Sequence, residues 1–207
     1  GVAANDTPIL SAESVHQMHL RTVTCPPQMN IDAIGLGSFL WDWNGDGHYD
    51  VFGHDGSTIG QAAWLRYHTE SETAVALLTN GGNGKGLADE MLAAIFSDSA
   101  GIAPPEPPAP AREGMPEPAR LTGTYGKASG TVEISLKDGA LVALHRPAPD
   151  FAALQGTYTV ELKPVNETLF IGTMQGYTRP ATYHFLGEDD QGRALYLHTG
   201  ARAHRRV

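Results

Sequence analysis

VFGHDGSTIGQAAW (residues 51–64) is the stretch on which the reading of this chain turns. Val51-Phe52 runs into Gly53, then His54, Asp55 and Gly56, and a second apolar segment carrying Trp64 follows. β-Branched and aromatic runs read as strands, and glycine inside a strand marks a bulge or a close approach by another backbone. Standing alone, GHDGS is a bulged strand whose histidine hydrogen-bonds locally. Its surroundings decide whether it is more than that.

Upstream, Ser11 is placed to cap a helix over about 11–20, with Val15 and Met18 on its buried side. IGLGSFLWDW (34–43) reads as a strand, NGDGH (44–48) as hairpin turn chemistry, and HYDVFGH (48–54) as the returning strand. Residues 58–67 and 73–79 (TAVALLT) read as two more strands, the second a continuous apolar run suited to a sheet centre. NGGNGKG ends it. GLADEMLAAIFSD (86–98) then sets Leu87, Ala88, Met91, Leu92, Ile95 and Phe96 at helical spacing.

Residues 103–118, APPEPPAPAREGMPEP, hold 7 of the 14 prolines, and such a stretch reads as an extended linker. It divides the 207 residues into 1–102 and 119–207. Charge divides them too: residues 1–118 carry 4 Lys/Arg against 15 Asp/Glu, whereas 119–207 carry 10 against 8. Beyond the linker, short alternating strands separated by KDG and EDDQG loops predict a small antiparallel barrel. The basic end, ARAHRR, reads as a solvated tail.

Several chemistries fall away at this stage. The net charge of −9 suits no nucleic-acid binder. No apolar run reaches the ~18 residues of a transmembrane helix. Cys25 is alone, so no intrachain disulfide forms, and it reads as structural. DWNGDGHYD (42–50) opens like a calcium loop but has Gly53 where the twelfth-position carboxylate belongs; a polar β-turn fits better. His16, His19, His48 and His54 lack zinc spacing and read as solvated or capping residues. NGGNGKG lacks the Ser/Thr that follows Lys in a phosphate loop. No metal or cofactor is expected.

The order of these segments carries a resemblance. Helix ILSAESVHQMH (9–19), the strand containing GLG, the strand with His54-Asp55-Gly56, the strand AVALLTNGGN (74–83) and the amphipathic helix resemble the penicillin-binding-protein-like serine hydrolases. That superfamily includes β-lactamases, DD-peptidases, D-aminopeptidases and esterases. His54, Asp55 and Gly56 match the H-x-G form of its third motif, K-T-G in other branches. LTGTYG (121–126) and TVEISLKDGALVAL (131–144) resemble the lipocalin-like C-terminal domain of some branches. The resemblance implies an α+β fold: the C-terminal half of a β-lactamase-like domain, an antiparallel sheet packed by helices, followed by a lipocalin-like barrel.

It also implies roles. The H-x-G strand would border the active site as an edge strand. His54 would sit over the nucleophilic Ser and its Lys, Ser57 would offer its backbone N–H to the oxyanion, and Gly56 would clear the space. Asp55 and Thr58 would line the substrate. Asp55 replaces the Thr of the β-lactamase pattern, which favours a peptide, amide or ester, D-amino-acid derivatives among them, over a penicillin.

Two family motifs are absent. No Ser has Lys three positions on, and no Tyr or Ser has Asn two positions on. The expectation is that an N-terminal fragment of the same precursor carries Ser-x-x-Lys and Tyr-x-Asn and stays associated after cleavage before Gly1. This chain by itself would then be inactive. Members of the superfamily are often exported. The competing reading is a non-catalytic relative, or a barrel module that binds a ligand or partner.

Overall fold

The computed structural model describes residues 2–27, 30–58, 60–111, 117–152 and 156–207. Two compact units emerge, and the chain passes from one to the other at Pro105–Glu106. Part of the proline-rich segment, 112–116, lies outside the described residues.

The first unit is an antiparallel meander whose spatial order follows the chain: β1 (Val23–Thr24), β2 (Ala33–Ile34), β3 (Phe39–Trp41), β4 (Val51–Thr58), β5 (Gln61–His68) and β6 (Thr73–Thr79). Helix α1 (Ala12–His19) precedes it and α2 (Gly84–Ala100) follows. The Ser11 hydroxyl caps α1 by accepting from the Ser14 N–H at 3.0 Å. Asn83 caps α2 in the same way through Gly86, and Gly101 ends it in the left-handed conformation. Trp64, Arg66 and His68 alternate into the buried face of β5, and α2 packs on β5 and β6. Ala33, Leu40 and Phe52, with Tyr49 and Tyr67 against them, form the core towards α1.

Four sequence expectations change here. IGLGSFLWDW is not one strand: the Gly35 N–H donates to the Ser38 carbonyl at 2.9 Å and Gly37 takes φ +77°, so the segment folds into the β2–β3 hairpin. β6 is the last strand of the sheet rather than its centre, and Leu78 stands 77% exposed, because composition does not disclose which strands become neighbours. The α2 stripe is split. Ala88, Leu92 and Phe96 are buried, while Leu87 and Met91 remain exposed. His19 is no solvated histidine: its ring stacks on Phe52 at 4.1 Å and its Nε2 lies 3.2 Å from the Tyr67 hydroxyl.

The second unit is a closed eight-stranded antiparallel barrel, in the order β10-β11-β12-β13-β14-β7-β8-β9. Its strands are β7 (Gly123–Lys127), β8 (Gly130–Lys137), β9 (Ala140–Pro147), β10 (Tyr158–Pro164), β11 (Leu169–Gly172), β12 (Ala181–Glu188), β13 (Ala194–Thr199) and β14 (Arg202–Arg206). Asp138 and Gly139 both take positive φ in the β8–β9 turn, the geometry that suits the twist of a two-residue hairpin. Tyr125, Leu141, Phe170, Tyr183, Phe185 and Leu197 fill the interior. β14 corrects the solvated-tail expectation. ARAHRR shows no apolar alternation, yet it pairs with β13 and β7 and closes the barrel, with His204 only 3% exposed.

Among the described residues, no helix is long and apolar enough to cross a membrane.

Candidate functional site

The sequence motif lies on β4, which is covered unevenly. β5 pairs with its whole length, from Val51↔His68 to Thr58↔Gln61. β3 pairs only with Val51, Phe52 and Gly53. Past Gly53, no strand of the described residues pairs with the β3 side of β4. The edge from His54 to Thr58 is therefore open, and His54, Gly56, Ser57 and Thr58 are exposed.

Ladder alternation fixes which backbone groups face that edge. The Gly35–Ser38 bond closes the β2–β3 turn, so Phe39 and Trp41 direct their N–H and C=O towards β4, where Gly53 and Val51 answer them. Two and four residues beyond Gly53, the backbone groups of Asp55 and Ser57 point the same way with no strand to meet them. The β4–β5 hairpin gives the same parity, since its closing pair Thr58↔Gln61 hydrogen-bonds inward and leaves the odd-numbered residues facing outward. An extended peptide can add along such an edge through main-chain hydrogen bonds.

Gly53 lets β4 and β5 close. A methyl group at this position would overlap the Leu65 carbonyl oxygen and crowd the Arg66 Cα. Gly56 is different: nothing lies within 4 Å of where its Cβ would stand, so its bareness leaves open space on the exposed stretch.

The side chains around β4 form a connected set. The His54 ring stacks on Phe39 at 4.4 Å and 21°, and Phe39 meets Trp41 edge-on at 6.0 Å. The Arg66 guanidinium lies 3.9 Å over the Trp41 ring. Arg66 Nη1 donates to the Asp55 carboxylate at 2.6 Å and to the Leu65 carbonyl at 2.8 Å. The Arg66 side chain is 9% exposed and that of Asp55 37%, and Arg66 Nε is buried with no acceptor. The Asp55 carboxylate is thus held by a fixed cation, and its negative charge is largely compensated.

The structure brings His54, Asp55, Gly56, Ser57 and Thr58 onto one strand end. Sequence reasoning missed Phe39, Trp41 and Arg66. Two aromatics two positions apart on one strand were visible, but the pairing that brings them to β4 joins residues ten or more positions apart.

The loop before β4 uses its carboxylates internally. Asp42 accepts from the N–H groups of Gly45, Asp46 and Gly47, and Asp50 from those of Trp43 and Asn44. Among the described residues no three His, Cys, Asp or Glu side chains are grouped as metal ligands. Cys25 is buried, and burial together with nearby Asp32 pushes its thiol pKa up, away from the reactive thiolate.

No family model matches the chain. Penicillin-binding protein 4 of Amycolatopsis lactamdurans is 36% identical over 133 residues, 63% of this chain and 34% of that protein. The crystal structure of SurE superposes with a TM-score of 0.66 at 24% identity, covering 96% of this chain and 43% of SurE. A crystal structure of SurE with D-Leu gives 0.65 at the same identity, covering 44% of that chain. The chain therefore spans about a third of its curated relative and less than half of SurE. It is penicillin-binding-protein-like in sequence over those 133 residues, and over nearly its whole length it has the fold seen in SurE.

Proposed function

We propose that this chain supplies the H-x-G wall of a serine hydrolase or acyltransferase of the β-lactamase-related superfamily, its sheet being the C-terminal half of a β-lactamase-like domain and its barrel lipocalin-like. The substrate class is a peptide, amide or ester handled through an acyl-enzyme, and the D-Leu complex of SurE favours D-amino-acid derivatives. The observation that carries this reading is the open edge of β4, with the backbone groups of Asp55 and Ser57 facing outward beside exposed His54.

Each residue has a part in such a reaction. The substrate backbone docks along Asp55 and Ser57 as an added strand, and Thr58 and bare Gly56 shape the approach. The Ser57 N–H faces the side on which an oxyanion would develop, and a preorganised donor there stabilises the transition state. His54, held flat by Phe39, donates a hydrogen bond to the reacting group or to a substrate carboxylate. Asp55 acts through its backbone, its carboxylate being fixed by Arg66. The nucleophilic Ser and its Lys are assigned to an N-terminal fragment carrying Ser-x-x-Lys and Tyr-x-Asn, since neither pattern occurs in these residues.

Treating the native protein with a fluorophosphonate or a fluorescent penicillin, followed by peptide mapping, tests this. Label is expected on a Ser-x-x-Lys peptide outside residues 1–207, with the labelling rate falling by about 10²-fold in His54→Ala. Absence of any label from the native protein overturns the catalytic reading and leaves a non-catalytic relative or a ligand-binding barrel module.

A further inference from the structure

The barrel carries a second feature, separate from β4. At the end where β7 turns into β8 and β13 into β14, a cavity of about 230 Å³ opens between the strands. Its lining is chemically one-sided: Lys127, Arg146, His145 and His204 contribute to it, and no Asp or Glu does. Arg146 is already paired with Glu133. Lys127 has no acidic partner among the described residues, and its amine pKa is pushed down by burial and by nearby Arg202. His204 is almost fully buried and its Nδ1 lies 3.3 Å from the Leu197 carbonyl. His145 lies 3.0 Å through Nε2 from the Tyr183 hydroxyl and stacks on Tyr158 at 4.4 Å. Burial holds both imidazoles down to about 4, with His204 and Lys127 repelling the charged form of His145, and Lys127 that of His204.

With Arg146 tied to Glu133 and the two imidazoles neutral, Lys127 is left among the described residues as a half-buried amine with no acid beside it, and such a group is costly to charge unless an anion pairs with it. The rest of the lining is mixed. Buried Thr199 belongs to the lining, while Met174 and the Tyr158 ring bring apolar surface. We infer that the barrel mouth binds a small carboxylic acid with an apolar or aromatic body, its carboxylate beside Lys127 and His204 and its body against Tyr158 and Met174. The volume lies below the range of drug-sized pockets, which limits the ligand to a compact acid.

Phenylacetate and hexanoate, with phenylacetamide as the uncharged counterpart, are suitable probes on the full chain, read through the His145 and His204 ring resonances by NMR. The acids should give saturable shifts and raise the titration midpoints of both histidines, and phenylacetamide should give neither. Lys127→Met, at the exposed rim, should weaken acid binding roughly tenfold or more, the loss of one charge-assisted hydrogen bond. Unmoved resonances at about 20 mM acid, beyond ordinary millimolar affinity, overturn the inference. Equal shifts with inorganic phosphate reduce the site to a general anion patch and overturn it too, as do equal shifts with phenylacetamide. The acid-against-amide comparison on the unaltered chain decides the matter even if the variant does not fold.

Discussion

At the scale of single residues, the two glycines of G-H-D-G have opposite reasons to be glycine. Gly53 is bare because the Leu65 carbonyl occupies the space a side chain would need, whereas Gly56 faces open space. Gly53→Ala should therefore destabilise the sheet unit by about 3 kcal/mol, the upper end of overpacking costs. Gly56→Ala should change stability by no more than about 0.5 kcal/mol, as exposed substitutions do. Urea unfolding of both variants checks this, and equal midpoints would sink the distinction. If the β4 edge receives a substrate, Gly56→Ala should still slow acylation, which separates the functional glycine from the structural one. The sequence showed both glycines plainly. It did not show which was which, because the carbonyl that excludes a side chain at Gly53 belongs to a different strand.

At the scale of elements, most strands and both main helices were legible because their signals are local. The Ser11 cap, the Asp138-Gly139 turn and the apolar spacing of α2 each act within a few residues. β14 was illegible because its stabilisation comes from distant parts of the chain. Arg206 donates from Nε to the Ala194 carbonyl at 2.6 Å, from Nη1 to Thr122 at 2.7 Å and from Nη2 to the Tyr125 hydroxyl at 2.5 Å. The Tyr125 hydroxyl in turn donates to the Leu121 carbonyl at 2.7 Å, and the ring is fully buried. This network fastens the seam where the last strand meets β7. Tyr125→Phe leaves the Leu121 carbonyl unsatisfied and should cost about 1–3 kcal/mol, measurable as a lowered melting temperature of the barrel. A melting curve unchanged from the parent would show that water satisfies the seam as well as the hydroxyl does.

At the scale of the whole molecule, the barrel holds histidines that fold in the neutral state. His204 and His145 are both pushed down to about 4, first by burial, against an ordinary value of 6.5. A base whose folded pKa lies below its unfolded one binds its proton more readily in the unfolded chain. Its stabilising contribution is therefore complete above about pH 6.5 and is lost progressively as pH falls towards 4. For His204, almost fully buried, the loss is on the order of 3 kcal/mol across that window. Because the two imidazoles repel one another when charged, their effects do not add. Calorimetry of the full chain should show the barrel transition moving to lower temperature between pH 6.5 and 4, with His204→Gln flattening the slope. A transition that stays level across that window would mean the imidazoles are hydrated in the folded barrel.

The sequence by itself determined the strand-rich texture on either side of a proline-rich segment, the caps and turns, and the strand that carries His54, Asp55 and Gly56. Those features depend on spacing and backbone preference over a few residues, where sequence and energy are directly linked. The tertiary structure decided what the strand can do. It ended the pairing of β3 at Gly53 and so left the outward backbone of Asp55 and Ser57 with no strand of the described residues to meet it, and it placed Arg66 on Asp55 and Phe39 on His54. It also gathered Lys127, His145, Arg146 and His204 around one barrel mouth whose described lining holds no acid. Pairing partners, burial and charge neighbourhoods are set by residues distant along the chain, and only folding brings them within reach of one another.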